Sequence, residues 1–108
     1  MTDLDKLIAA VEAGTAKAYD FAKALPAKPP IYGFSPEAFL AQDAYNCDLN
    51  AALRLHEALL PGWVWCPEIS TSGPCEGYMS PPLSSDGINV AAENPARAWL
   101  LAILRAAP

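Results

Sequence analysis

The chain has 108 residues, of which 53% are hydrophobic, and a formal net charge of −5 at pH 7. This length and composition predict a single domain, residues 1–108, with one modest core, and they exclude a disordered chain. No apolar run approaches the roughly 18 residues that span a bilayer, and the acidic start MTDLDKLI lacks the basic and apolar regions of a signal peptide. We therefore expect a cytoplasmic protein that does not contact membranes.

Two short helices are predicted at the N-terminus. The first runs from Thr2 to Ala13 and ends at Gly14, because glycine readily adopts the left-handed conformation at a helix C-terminus. Its apolar residues follow the helical i, i+3, i+4, i+7 spacing: Leu4, Leu7, Ile8 and Val11. Thr15 is the expected cap of a second helical stretch, which ends at Pro26. The pattern also allows the two pieces to form one kinked helix.

A third short helix is predicted after a proline-rich connection. The stretch Ala27–Phe34 contains two consecutive prolines, which remove backbone donors and exclude regular helix. Ser35-Pro36-Glu37 then supplies a capping hydroxyl, a first-turn proline and a first-turn acid. We expect this helix to reach about Tyr45, with Phe39 and Leu40 as its buried anchors.

The stretch from Asp48 to Ile69 combines a helix with a strand. The Asp48 carboxylate is the expected N-cap, and Pro61-Gly62 ends the helix. After that turn, the tryptophans of the WVWC run alternate with smaller residues, which is strand periodicity. Helical spacing predicts one apolar face on the preceding helix: Leu49, Ala52, Leu53, His56, Leu59 and Leu60.

A β-hairpin is predicted downstream of that helix. Trp63–Ile69 pairs with Glu76–Ser80 through the turn Ser70–Pro74, whose serine, glycine and proline residues are typical of turns. In this hairpin we expect Cys66 to lie opposite Cys75. In a reducing compartment we still expect all three cysteines, including Cys47, to be free thiols.

The C-terminal part of the chain predicts a third strand and a last helix. Gly87–Glu93 alternates in polarity, and Asn94-Pro95 caps and starts the helix. That helix is apolar around most of its circumference, so we expect it to pack across a sheet or into another subunit. The predicted fold is therefore α+β, with a small antiparallel sheet of about three strands layered with helices as an α-β-α sandwich.

Few residues offer catalytic chemistry. His56 is the only histidine, and on an apolar helix face we expect a hydrogen-bonded core residue rather than a general base or a metal ligand. Glu68 and Glu76 can face each other across the hairpin, but two strand carboxylates without a pocket are weak evidence for acid–base catalysis. No nucleotide-binding or serine-hydrolase motif is present. We expect no enzyme activity, no cofactor and no metal.

The negative charge is concentrated in the middle of the chain. Between residues 29 and 96 there are eight acidic residues and one basic residue, Arg54, so this segment carries a net charge of −7. Such a segment repels nucleic acid and attracts basic surfaces. Six of these acids are the predicted partner-binding residues: Glu37, Asp43, Glu68, Glu76, Asp86 and Glu93.

Three segments of the chain resemble small phage and prophage proteins of the "phage ABA sandwich" type. The segments are the opening MTDLDKLIAAVEAGT, the run DLNAALRLHEALLPGWVW and the ending ENPARAWLLAILRA, which together make up roughly half of the chain. The resemblance implies a phage-derived cytoplasmic protein of α-β-α architecture. It transfers no catalytic residue, and residues 16–47 and 66–86 match poorly.

Combined with the acidic segment, this resemblance predicts a non-enzymatic inhibitor similar to anti-CRISPR proteins. Such a protein occupies a basic groove of a host complex that handles nucleic acid, and does not bind nucleic acid itself. One alternative is a phage accessory or assembly protein that self-associates, for example as a homodimer, through the helix containing Trp99. Another is a thiol-dependent enzyme, which a cleft joining His56 to a cysteine would favour.

Overall fold

The computed structural model describes residues 2–26, 35–68, 73–83 and 86–106. The sheet is antiparallel with strand order β1-β2-β3, which confirms the predicted α+β class. No helix in these ranges is both long and apolar enough to cross a membrane. In chain order the elements are α1 Asp3–Ala13, α2 Ala18–Ala24, α3 Pro36–Tyr45, α4 Leu49–Leu59, β1 Val64–Glu68, β2 Cys75–Ser80, β3 Ile88–Ala92 and α5 Pro95–Ala106.

Helix α5 lies at the centre of the fold. It packs against all three strands and against α1, α3 and α4, and seven of its twelve residues are buried. This confirms the prediction that the last helix packs across a sheet. Among the described residues, the helices cover one face of the sheet, so the layer order is sheet, α5, then the other helices.

The first two helices are separate and are capped by side chains. The Thr2 hydroxyl accepts from the Asp5 backbone N–H, and the Asp5 carboxylate accepts from the Thr2 backbone N–H, each at 3.1 Å. The second of these bonds lowers the pKa of Asp5. Gly14 ends α1 with a φ of 74°. The predicted Thr15 cap is wrong: α2 starts after Lys17, whose backbone N–H donates to the Asp20 carboxylate at 2.9 Å.

Helix α3 starts at the predicted serine but buries a different set of residues. The Ser35 hydroxyl accepts from the Ala38 backbone N–H at 3.0 Å and donates to the Leu25 carbonyl at 2.6 Å, which joins α3 to the end of α2. The predicted anchor Phe39 is exposed, whereas Leu40 is partly buried against the core. Three alanines dominate the buried face because they let α4 and α5 approach closely, and Tyr45 is the fourth buried residue: Ala38, Ala41, Ala44 and Tyr45.

Helix α4 has the predicted cap and ends as expected, but its buried face is rotated. The Asp48 carboxylate accepts from the Ala51 backbone N–H at 3.1 Å. Leu49 and Leu53 are 50% and 43% exposed, so the prediction that these two residues belong to the apolar buried face is wrong. The alanine-rich side of the helix packs against α3 instead, and four residues are buried: Ala51, Ala52, Leu55 and His56.

The predicted hairpin is present, and its paired residues are equidistant in sequence from the middle of the predicted turn. Cys66 lies opposite Tyr78, and Cys75 lies opposite Ala92, so the predicted juxtaposition of the two cysteines is wrong. Ile69 and most of the predicted turn, residues 70–72, lie outside the described residues. The observed register pairs Trp65 with Met79.

The Trp65 ring explains this register. It lies across Gly77, where a Cβ atom would overlap the indole. A register with Cys66 opposite Cys75 would pair Gly77 with Val64 and would place Gly77 on the sheet face away from Trp65. The same ring stacks on Trp99 of α5, with centroids 5.8 Å apart and planes within 9°. The observed pairing is therefore the one that lets this large side chain lie over a strand residue without a side chain.

We predict that Leu104→Ala strongly destabilises the protein and that Leu53→Ala does not. Leu104 is fully buried in α5, and truncating such a leucine costs about 2–5 kcal/mol. Leu53→Ala removes the same atoms from a helix surface, where the expected loss of folding stability is within about 0.5 kcal/mol. Urea unfolding of both variants measures the difference. Equal losses would contradict the central position of α5.

We predict that Gly77→Ala destabilises the protein by about 1–3 kcal/mol because the new methyl group displaces the Trp65 ring. The expected cost disappears when Trp65 is also replaced by leucine, since the overlap is then absent. A double-mutant cycle measured by urea unfolding tests this coupling. Additive losses would show that Gly77 is required for another reason.

Candidate functional site

A cleft of about 510 Å³ combines residues from β1, β2, β3, α1 and α5. This volume lies within the roughly 300–1,000 Å³ that is usual for ligand pockets. Part of the lining is apolar and buried, namely Val90 and Leu101. The remaining lining residues include charged groups at the surface and backbone of the strands: Glu12, Glu68, Glu76, Gly77, Asn89, Ala91 and Arg105.

The charges in the cleft are unequal. The Arg105 guanidinium donates to the Glu12 carboxylate at 2.7 Å and to the Asn89 carbonyl at 3.5 Å. This ion pair neutralises one of the three cleft carboxylates. Glu68 and Glu76 are exposed and have no cationic partner among the described residues. The cleft therefore presents a net negative charge to solvent.

Glu68 and Glu76 lie directly opposite each other on β1 and β2, as the sequence suggested. Side chains in such a pair have Cβ atoms about 4.5–5.5 Å apart, and like charges at this position are unfavourable. Exposure to water keeps this cost small. The Glu68–Glu76 pair makes no evident contribution to folding stability. Its position beside the cleft makes it a candidate for binding a ligand or partner.

Pairing and alternation define an outer sheet face that carries no helix in the described part of the chain. Val64 on this face is 51% exposed, and Cys66 and Ala91 are also exposed. The outward side of an antiparallel sheet is usually polar, whereas this one mixes apolar and acidic residues. The outer sheet face consists of Val64, Cys66, Glu68, Glu76, Tyr78, Ser80, Asn89 and Ala91.

The other predicted partner-binding acids lie on different elements. Glu37 is half-buried in the first turn of α3, and Asp43 is exposed about 120° around that helix. Asp86 precedes β3, at the end of the sheet where Ile88 pairs with Met79. Glu68 and Glu76 are therefore the two that strand pairing brings together, and Glu12 is a cleft residue that the sequence analysis missed.

Glu93 belongs to a structural cluster around Arg97. Its carboxylate pairs with the Arg97 guanidinium at 3.1 Å. That guanidinium also donates to the Tyr45 carbonyl at 3.1 and 3.3 Å and lies 4.0 Å from the centre of the Tyr45 ring. These contacts join the start of α5 to the end of α3, so part of the Glu93 charge is compensated within the chain.

His56 is a buried, doubly hydrogen-bonded residue, as predicted. It is 7% exposed, and its Nδ1 atom lies 3.0 Å from the Trp99 indole nitrogen. An indole N–H can only donate, so Nδ1 accepts and Nε2 carries the proton that it donates to the Trp63 carbonyl at 2.8 Å. Both ring nitrogens are thus engaged in joining α4, the start of β1 and α5. This arrangement offers no free base to a thiol.

The three cysteines are free thiols, as predicted. Cys66 is on the outer sheet face, whereas Cys75 shares the inner face with Met79, so the two side chains point away from each other. Cys47 is exposed between α3 and α4, with a φ of 78°. Within the described ranges, no three histidine, cysteine, aspartate or glutamate side chains are grouped so as to hold a metal ion.

Comparison with protein-family models, curated proteins and solved structures finds no match to this chain. The resemblance of its ends and centre to small phage proteins therefore remains a prediction. The site has to be interpreted from its own geometry, which is a mixed cleft beside a pair of exposed carboxylates.

We predict that His56→Gln is milder than His56→Leu. Leucine leaves the Trp99 N–H and the Trp63 carbonyl without partners, and each buried unpaired group costs about 1–3 kcal/mol. The glutamine amide retains one acceptor and one donor. Urea unfolding followed by tryptophan fluorescence compares the variants, and equal losses would show that the hydrogen bonds do not stabilise the fold. We expect partner binding to persist in the glutamine variant.

Proposed function

We propose that this protein is a non-enzymatic, cytoplasmic inhibitor that binds the basic, nucleic-acid-binding surface of a host protein complex. The observation that carries the proposal is the pair of exposed carboxylates, Glu68 and Glu76, which lie opposite each other at a cleft without a compensating cation among the described residues. Carboxylates are bound by arginine in the same two-pronged manner as phosphates, so an acidic surface can occupy a groove that normally holds nucleic acid.

The charge distribution supports a basic partner. The segment between residues 29 and 96 has a net charge of −7, and two of the three arginines, Arg97 and Arg105, are engaged by Glu93 and Glu12. A protein with this charge repels nucleic acid, and its uncompensated acids are drawn to a cationic protein surface over about one Debye length, roughly 8 Å at physiological salt. Fast association at low salt is the expected consequence.

The resemblance to small phage proteins supports a phage origin and a host target. Phage proteins of the anti-CRISPR type block host defence complexes without catalysis, and both ring nitrogens of His56 are hydrogen-bonded within the fold. The proposal therefore combines an acidic binding surface with a host complex that handles nucleic acid.

The assembly-protein alternative has lost the observation that motivated it. The apolar residues of α5, including Leu100 and Ile103, are buried against the sheet and helices of the same chain. Self-association through this helix would require its removal from the core. Sedimentation of the full chain would detect a homodimer formed through another surface.

We predict that the double change Glu68→Lys and Glu76→Lys weakens capture of the host partner at least tenfold and leaves thermal stability nearly unchanged. Reversing two exposed charges removes the attraction to a basic groove, while exposed substitutions alter stability by about 0.5 kcal/mol or less. The measurement is a pull-down from host lysate at low and high salt, with identification of the retained complex and competition by nucleic acid.

Glu57→Lys is the matched control, because Glu57 is exposed on α4 and away from the cleft. Its capture of the partner should change little. The proposal fails if the retained complex does not bind nucleic acid, or if nucleic acid does not compete for it. Indifference of capture to salt would also count against an electrostatic interface.

A further inference from the structure

We infer that the outer sheet face is the docking surface for the partner, and that it takes an amphipathic helix with arginine or lysine side chains along one flank. This inference rests on the proposed function and gives it a surface and a partner chemistry. It selects Glu68 and Glu76 from the six predicted acids and assigns no contact to Glu37 and Asp43 on α3.

The dimensions of the face fit one helix. Strands of five or six residues are about 17–20 Å long, and the outer strands of a three-stranded sheet lie about 10 Å apart. A helix with its side chains is about 10–12 Å wide. The inner face of the same sheet already accommodates one helix, α5, across all three strands. A partner helix on the outer face would repeat that packing.

The composition of the face favours an amphipathic partner. Val64 and Cys66 on β1 are exposed, and Ala91 on β3 is exposed as well. Tyr78 on the central strand belongs to the same face, and its ring extends to Gly87, just before β3. A face of this kind gains free energy when apolar side chains cover it, at about 25 cal/mol per Å² buried.

The charge on the face selects a basic partner. Among the eight residues of the outer sheet face, Glu68 and Glu76 are the only two aspartate, glutamate, lysine or arginine residues. Both lie at the same end of the face. The exposed apolar residues Cys66 and Ala91 lie next to them on the same face. An arginine combines an apolar stem with a guanidinium, so its stem suits these residues and its head suits the two carboxylates.

The sheet edges are less suitable than the face for adding a partner. β1 contains Pro67, which lacks a backbone donor, and prolines of this kind discourage strand addition. On β3 the Asn89 carbonyl already accepts from Arg105. A partner strand added to β3 would have to displace the Arg105 contact, and one added to β1 would meet the missing backbone donor of Pro67. A helix on the outer sheet face meets neither obstacle.

The test is a binding experiment with designed peptides and the full chain. The probe is a helical peptide about four turns long, with leucines on one face and arginines along one flank. One matched peptide replaces the arginines by glutamate, and a second replaces the leucines by serine. We expect saturable binding of the first peptide alone, with amide shifts in two-dimensional NMR confined to β1, β2 and β3 and the adjacent cleft residues.

Matched variants locate the contact. Glu68→Gln with Glu76→Gln should weaken binding of the arginine peptide at least tenfold, and Val64→Ser should weaken it severalfold. Glu37→Gln with Asp43→Gln removes the same two charges from α3 and should leave the affinity unchanged. Shifts centred on α3 or α4, or equal effects of both double variants, would overturn the assignment. Pairing of the outer face with a second copy of the chain, detected by sedimentation, would also overturn the choice of occupant.

The two proposals can fail separately. If a nucleic-acid-binding complex is still captured from lysate by the Glu68→Gln, Glu76→Gln and Val64→Ser variants, the proposed function stands and the docking surface is wrong. If the arginine peptide binds the outer sheet face but no such complex is captured or displaced by nucleic acid, the surface stands and the proposed function is wrong.

Discussion

The Trp65 ring lies over Gly77 on one side of the hairpin and stacks on Trp99 of α5. Trp99 in turn donates to His56 of α4, and His56 donates to the carbonyl of Trp63 at the start of β1. This set of contacts joins the sheet to the two helices behind it. Each contact depends on the next, since the ring stack positions the Trp99 N–H and the N–H fixes which nitrogen of His56 accepts.

The same contacts determine what the opposite face of the sheet presents. With Trp65 over Gly77, the register pairs Glu68 with Glu76. A shift of one residue would move Trp65 away from Gly77 and would also separate the two carboxylates. The arrangement of the candidate site is therefore a consequence of core packing on the inner face. A substitution in the core that altered the register would change the binding surface without touching it.

Local signals in the sequence predicted the ends of the elements well, whereas faces and registers depended on longer-range packing. The caps at Ser35, Asp48 and Asn94 are present because each is a local interaction with the next turn of helix. The buried faces of α3 and α4 were predicted less well, because leucine and phenylalanine outweigh alanine in any hydrophobicity pattern. Close packing of helices against α5 instead favoured the alanines, and it left Phe39, Leu49 and Leu53 at the surface.

The cleft was beyond a local pattern because it combines distant parts of the chain. Its lining residues are as far apart in sequence as Glu12 and Arg105. The cross-strand position of Glu68 and Glu76 was suggested by the hairpin, but the cleft beside them was not. A signal for the register was present in the lone glycine of β2, since glycine inside a strand often marks a close approach by another group.

The fold separates the residues that stabilise the protein from those proposed to bind. Stability comes mainly from α5 and the tryptophan contacts on the inner face, where apolar side chains are buried or partly buried. Arg97 and Arg105 of α5 form ion pairs with Glu93 and Glu12. Among the described residues, no cation therefore compensates Glu68 and Glu76 on the outer face. Because exposed charges contribute little to folding free energy, the outer face can change its acids with little effect on the core. A surface with this freedom can adapt to a partner while Trp65, Gly77 and Trp99 keep the sheet in register.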